Sequence, residues 1–244
     1  MKICVKHAIT DYWSKDQTIP TPFFGKYMSR DRFQILFRCL YFASNEDRTE
    51  DDRLWRVKHY MNVVIGKFRD FYVPAQMLVI DESLLLFNGY VAFKQYIPSK
   101  RNRFGLKSFV LCDCETGYVL HMIRYSASDV DIPGNDQHGF LGSVVKSLMA
   151  PWMNKGHILY TDNYYTSLLL ARFLIENRTG LVGTVKPRRR EMTVFDNKLE
   201  VGGCELKKCN QILSVRWKDK REATLLTPVH GGTMVNRDKV NRVT

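Results

Sequence analysis

Two aspartates stand where short apolar runs give way to polar sequence. Asp81 follows Val79 and Ile80, and Asp162 follows the run from Ile158 to Thr161. Read as strand ends, they belong to the first and fourth strands of a sheet. A meander extending to one side and a crossover helix returning the chain to the other would make those strands neighbours. Two carboxylates brought together repel unless a cation neutralises them. An all-oxygen donor set suits Mg2+ or Mn2+, with phosphates and water completing the shell. Such a site supports phosphodiester chemistry. The competing reading is structural, with Asp81 capping a turn and Asp162 capping the helix that follows.

Basic residues cluster around these positions. Lys94, Lys100, Arg101, Arg103 and Lys107 fall between the first two expected strands, and Lys186, Arg188, Arg189 and Arg190 follow a later one. Exposed at the margin of a sheet, they suit phosphate contacts without base readout; ordinary solvated loops are the alternative. Trp217 beside Lys218 could stack on a base or anchor a small β core. The cysteines point away from zinc. Cys4 and Cys39 stand alone, Cys112 and Cys114 are two apart, and Cys204 and Cys209 lack a matching pair. No zinc is expected.

The elements that must hold these residues are readable from hydrophobic spacing. Ser29 can cap a helix carrying Phe33, Leu36, Phe37, Leu40 and Tyr41 on one stripe. After a polar loop, Leu54, Val57, Met61, Val64, Phe68 and Tyr72 form the face of a longer helix that Pro74 ends. Strands follow over 77–80, continued by 84–87, and over 107–112 and 118–124, the last two joined by a hairpin turn at 113–117. A helix over 140–152, a strand over 157–161, a helix over 167–177 and a strand over 181–186 come next. Beyond Pro187 the short strands over 213–217 and 223–227 read as a separate β-rich appendage. The expected architecture is mixed α/β, with residues 1–75 helical, 76–187 a core, and 188–244 the appendage.

Composition narrows the partners. The chain of 244 residues carries 37 Lys and Arg against 25 Asp and Glu, a formal charge of +12. That surplus favours an anionic polymer, nucleic acid before membrane surface. Hydrophobic residues make up 45% of the chain, enough for a packed core. No apolar run reaches the roughly 18 residues of a membrane helix, and the N-terminus lacks the apolar stretch of a signal peptide. A membrane partner is not expected.

Several segments together resemble a known family. They are MSRDRFQILFRCLYF (28–42), VIDESLLLFNG (79–89), YIPSKRNRFGLK (96–107), TDNYYTS (161–167), GLVGTVKPRRREM (180–192) and WKDK (217–220). In this order the chain resembles the piggyBac-type transposases and the host genes derived from them. The resemblance implies an RNase H-like core with a three-aspartate metal site, incomplete here, between an N-terminal helical dimerisation and DNA-binding region and a C-terminal β-rich insertion. It implies Mg2+ or Mn2+ at Asp81 and Asp162 and metal-dependent DNA cleavage and strand transfer at transposon ends. DNA is the implied partner, a homodimer is admitted, and the implied place is the nucleus. The family's third aspartate lies in a Gly-Gly-Val-Asp motif. His230-Gly-Gly-Thr233 is not that motif, and Asp196, Asp219 and Asp238 stand in other contexts. The chain is therefore read as a truncated form, inactive by itself. A non-catalytic, domesticated DNA-binding module is the alternative.

Overall fold

The computed structural model describes residues 4–48, 53–87, 89–98, 103–126, 137–186, 189, 191–192, 195 and 197–231. It divides into two compact units, Met1–Glu50 with Leu54–Tyr60, and Asp51–Arg53 with Met61–Thr244.

The first unit is built on aromatic contacts. A 3-10 turn (Ile9–Trp13) is followed by α1 (Pro22–Tyr27) and α2 (Arg30–Arg38). Tyr12 is buried, packs edge-on against Phe24, and donates its hydroxyl to the Cys4 carbonyl at 2.7 Å. The Trp13 indole donates to the Met28 carbonyl, and its ring lies 5.0 Å from Phe33. Ser29 caps α2 as expected, accepting from the Arg32 N–H at 3.4 Å. The stripe it begins is only partly used, since Leu36, Phe37, Leu40 and Tyr41 are exposed. Helix α3 (Trp55–Phe71) spans the point where the units divide.

The second unit is organised by one sheet of nine strands. These are β1 (Met77–Leu86), β2 (Gln95–Tyr96), β3 (Phe104–Asp113), β4 (Val119–Arg124), β5 (Ile158–Thr161), β6 (Gly180–Val185), β7 (Cys204–Cys209), β8 (Ile212–Lys218) and β9 (Glu222–Thr227). Their order is β2-β3-β1-β5-β6-β9-β8-β7, with β4 also paired to β3. Among the described residues only β1–β5 and β5–β6 are parallel. Each is reached through a crossover helix, as parallel neighbours require: α4 (Gly139–Met149) before β5 and α5 (Leu168–Glu176) before β6. The expected helix over 140–152 changes to a 3-10 turn (Ala150–Trp152), because Pro151 has no N–H to continue the α pattern.

Burial alternates along β5 and the first half of β1, while β3 and β6 carry continuous buried runs. Leu78 and Ile80 of β1, Leu159 of β5 and Leu181 of β6 share a buried cluster with Val144, Leu148, Leu170 and Leu174 of the two helices. This face of the sheet is the core. The strands expected in a separate appendage join it: β9 pairs with β6, Val185 opposite Thr224, and Ile212 and Leu226 belong to the same cluster. An exposed edge of β6 would leave unpaired backbone donors and acceptors, and β9 satisfies them. The strands β2 and β7 were not expected. β2 is two residues long, and β7 (CELKKC) lacks the apolar alternation that marks a half-buried strand.

The turn at 113–117 forms as expected and is held by Asp113. Its carboxylate accepts from the N–H groups of Ala75, Glu115 and Thr116 and from the Thr116 hydroxyl at 2.8 to 3.0 Å. Burial works to raise the Asp113 pKa, but these hydrogen bonds outweigh it and hold the carboxyl below its ordinary value.

Candidate functional site

The parallel pairing of β1 with β5 places the two aspartates. Ile80 lies opposite Thr161 in register, so Asp81, within β1, and Asp162, just past the end of β5, are the next residues along the two adjacent strands. Both side chains are exposed. Asp81 does not end its strand. Pairing with β5 stops at Ile80, while pairing with β3 continues to Leu86, with Asp81 opposite Val110. The longer β3 partner carries β1 past the point where the parallel neighbour turns away.

Neither structural role open to the aspartates is the one they play. Asp81 lies within a strand, where one carboxylate oxygen accepts from the Glu82 N–H at 2.8 Å. Asp162 does not cap α5; Ser167 does, accepting from the Leu170 N–H. Asp162 instead accepts from the Tyr164 N–H at 2.9 Å, and its own carbonyl accepts from the Thr166 N–H and hydroxyl. The Thr166 hydroxyl lies 2.8 Å from that of Thr161. Its one hydrogen goes to Asp162, so Thr161 donates to Thr166. Gly183, opposite Thr161 on β6, lets these hydroxyls approach: a Cβ there would collide with the Thr166 hydroxyl and lie 2.7 Å from that of Thr161.

Each aspartate thus has one oxygen fixed by a backbone N–H. The hard-oxygen donors fit a Mg2+ or Mn2+ ion in kind, but among the described residues no three His, Cys, Asp or Glu side chains converge as a metal group. Both aspartates act on the same buried phenol. Burial, then Glu82, then Asp162 and Asp81 push the Tyr165 pKa far above the usual tyrosine range.

The basic residues do not share one fate. Arg103 and Lys186 are exposed. Lys94 donates to the Gly89 carbonyl at 3.0 Å and lies over the rings of Tyr90 and Phe104. Lys107 pairs with Glu82 at 3.6 Å, both side chains less than one-fifth exposed, and its ammonium stands over Phe109, Tyr125 and Tyr164. Arg189 donates to the carbonyls of Asn163 and Tyr164 at 2.9 and 3.1 Å. Lys100, Arg101, Arg188 and Arg190 lie outside the described residues, as do Asp196 and Asp238. Trp217 sits in β8 opposite Ala223 and Cys204, and Asp219 lies in the turn beyond that strand. Glu82, Tyr164 and Tyr165 carry much of the local chemistry and were not singled out by sequence. Their adjacency to Asp81 and Asp162 in the chain was the available signal.

Known proteins resemble this chain in sequence and in fold. The family model described as Transposase IS4 matches residues 1–243. Human PiggyBac transposable element-derived protein 2 is 23% identical over 234 residues, which cover 87% of this chain and 39% of that protein. Human PiggyBac transposable element-derived protein 3 is 21% identical over 247 residues, covering 93% and 40%. Among solved structures, the cryo-EM structure of the piggyBac transposase synaptic complex with hairpin DNA superposes with a TM-score of 0.77 at 29% identity, covering 86% of this chain and 45% of that one. The chain spans about two-fifths of the length of the curated relatives it matches. With the mixed sheet and its two parallel joints, these matches establish the RNase H-like DDE core, and the chain belongs to the piggyBac-type transposase family.

Proposed function

We propose that this chain binds DNA through its basic margin and presents Asp81 and Asp162 as two carboxylates of a phosphodiester-cleaving site. The observation that carries the reading is the parallel register of β1 and β5, in which the exposed Asp81 and Asp162 each follow the last paired residue, Ile80 and Thr161. Asp81 and Asp162 would hold a Mg2+ or Mn2+ ion, which when bound supplies charge neutralisation and an activated oxygen nucleophile. The backbone N–H groups of Glu82 and Tyr164 each fix one carboxylate oxygen and leave the other for that task. Arg103 and Lys186, both exposed, would contact phosphates, and Lys94, Lys100, Arg101, Arg188 and Arg190 extend the same basic margin. The partner is DNA of the hairpin kind in the structural relative, and the working place is the nucleus. Residues 1–75 would serve DNA binding and pairing with a second copy.

The test is incubation of the chain with hairpin DNA and Mn2+. Binding that weakens with salt and Mn2+ affinity that disappears in Asp81→Asn and Asp162→Asn are expected. Cleavage lost in both variants would make the chain an enzyme by itself. Binding without cleavage would assign it to a DNA-holding module. Mn2+ binding unchanged in both variants would sink the metal site.

A further inference from the structure

Two cations that sequence places among the phosphate contacts are committed elsewhere. The backbone N–H groups that orient Asp81 and Asp162 belong to Glu82 and Tyr164. The side chains of those same two residues meet on Lys107, Glu82 as an ion pair at 3.6 Å and Tyr164 as a ring 5.1 Å from the ammonium. Lys107 is fixed in turn by the rings of Phe109 and Tyr125 at 4.9 and 5.9 Å. From the other side Arg189 binds the carbonyls of Asn163 and Tyr164. A half-buried ammonium with a carboxylate and aromatic faces around it is not free to follow a phosphate backbone. A guanidinium spread over two successive carbonyls holds one backbone shape, because its fork is rigid.

We propose that Lys107 and Arg189 are positioning residues: together they lock the Asp162 turn against β1 and so set the relation between the Asp81 and Asp162 carboxylates. This rests on the metal reading above only for what the carboxylates do; the lock itself is a statement about the turn.

The experiment compares Lys107→Met, Lys107→Arg, Arg189→Met and Arg189→Lys with the parent chain. Hydrogen exchange of residues 162–166 is read beside Mn2+ titration and the salt dependence of hairpin-DNA binding. Lys107→Met and Arg189→Met should speed exchange in 162–166 by about tenfold while β6 and α5 keep their protection. Loss of a partner outside the ligand set typically weakens metal binding about ten- to a hundredfold, and the same loss is expected here. Lys107→Arg keeps a cation over the rings and restores both readouts. Arg189→Lys, lacking the fork, restores them in part. The slope of DNA binding against salt stays at the parent value in Lys107→Met and Arg189→Met. Parent-like exchange in both methionine variants would overturn the lock, as would a slope reduced by about 0.9 in each, the mark of a phosphate contact. Glu82→Gln, which keeps side-chain volume, guards against a misfolded Lys107→Met: it should give the same faster exchange, and parent-like exchange in it counts against the lock. If Asp81→Asn and Asp162→Asn leave Mn2+ binding untouched, the metal reading fails, and exchange and salt slope alone decide the lock.

Discussion

Asp113 fixes the turn between β3 and β4 and ties it to the segment leading into β1. Four donors converge on its carboxylate, one of them the Ala75 N–H from the segment leading into β1. Its folded pKa is held below the ordinary value of 3.8. Its contribution to stability is therefore present above that value and lost as pH falls through the lower folded pKa. Asp113→Asn should cost about 1–3 kcal/mol near neutral pH, since four part-buried hydrogen bonds lose their charged acceptor. The gap between parent and variant in urea midpoint should close as pH drops below about 4. A gap that stays constant down to pH 2 would mean the carboxylate charge is not what holds the turn. Asp81 and Asp162 illustrate the opposite case, exposed carboxylates of which, among the described residues, one oxygen each accepts a single backbone hydrogen bond.

At the scale of elements, the site depends on how β5 hands over to α5. Ser167 begins the helix by accepting from the Leu170 N–H at 3.2 Å. Ser167→Ala should lower stability by about 1 kcal/mol, the usual cost of losing such a cap, and thermal unfolding measures it. Hydrogen exchange of residues 162–166 should stay unchanged, because Asp162 is held by its own turn rather than by the helix. Gly183 matters more to the site. Adding a methyl group there drives a Cβ into the Thr161 and Thr166 hydroxyls that brace the Asp162 carbonyl. Overpacking of this kind typically costs about 1–3 kcal/mol, so Gly183→Ala should shift the denaturant midpoint down by that amount with its slope unchanged. A neutral Gly183→Ala would show the threonine pair to be soft. The extension of β1 through Leu86 belongs to this scale too, since one strand serves a parallel and an antiparallel neighbour over different lengths.

Across the whole molecule, the charge of +12 is the property a DNA partner would feel first. Each phosphate contact contributes about 0.9 to the slope of log affinity against log salt. Replacing the exposed Arg103 and Lys186 together by glutamine should reduce the slope by about 1.8, as fluorescence anisotropy with hairpin DNA would register. An unaltered slope would move the binding surface off this margin. Among the described residues no helix is long and apolar enough to cross a membrane. In the first unit Ile35, Leu36, Phe37, Leu40, Tyr41 and Phe42 form an exposed apolar run on and beyond α2, interrupted by Arg38 and Cys39.

Sequence by itself determined the class of fold and most helices and strands, and it offered the pairing of the strands that carry Asp81 and precede Asp162. Those follow from local periodicity and from the few ways a meander and a crossover can be laid in one sheet. It also determined the family, because the motifs stand in order along the chain. Tertiary structure alone decided that the strands after Pro187 complete the core sheet, and that Asp162 is held by a turn and not by a helix cap. It alone separated Lys107 and Arg189 from Arg103 and Lys186. All four are basic residues near loops, and their sequence surroundings do not distinguish them. What a cation does depends on whether rings, a carboxylate or two carbonyls from distant parts of the chain have folded around it, and only the packed structure brings those groups together.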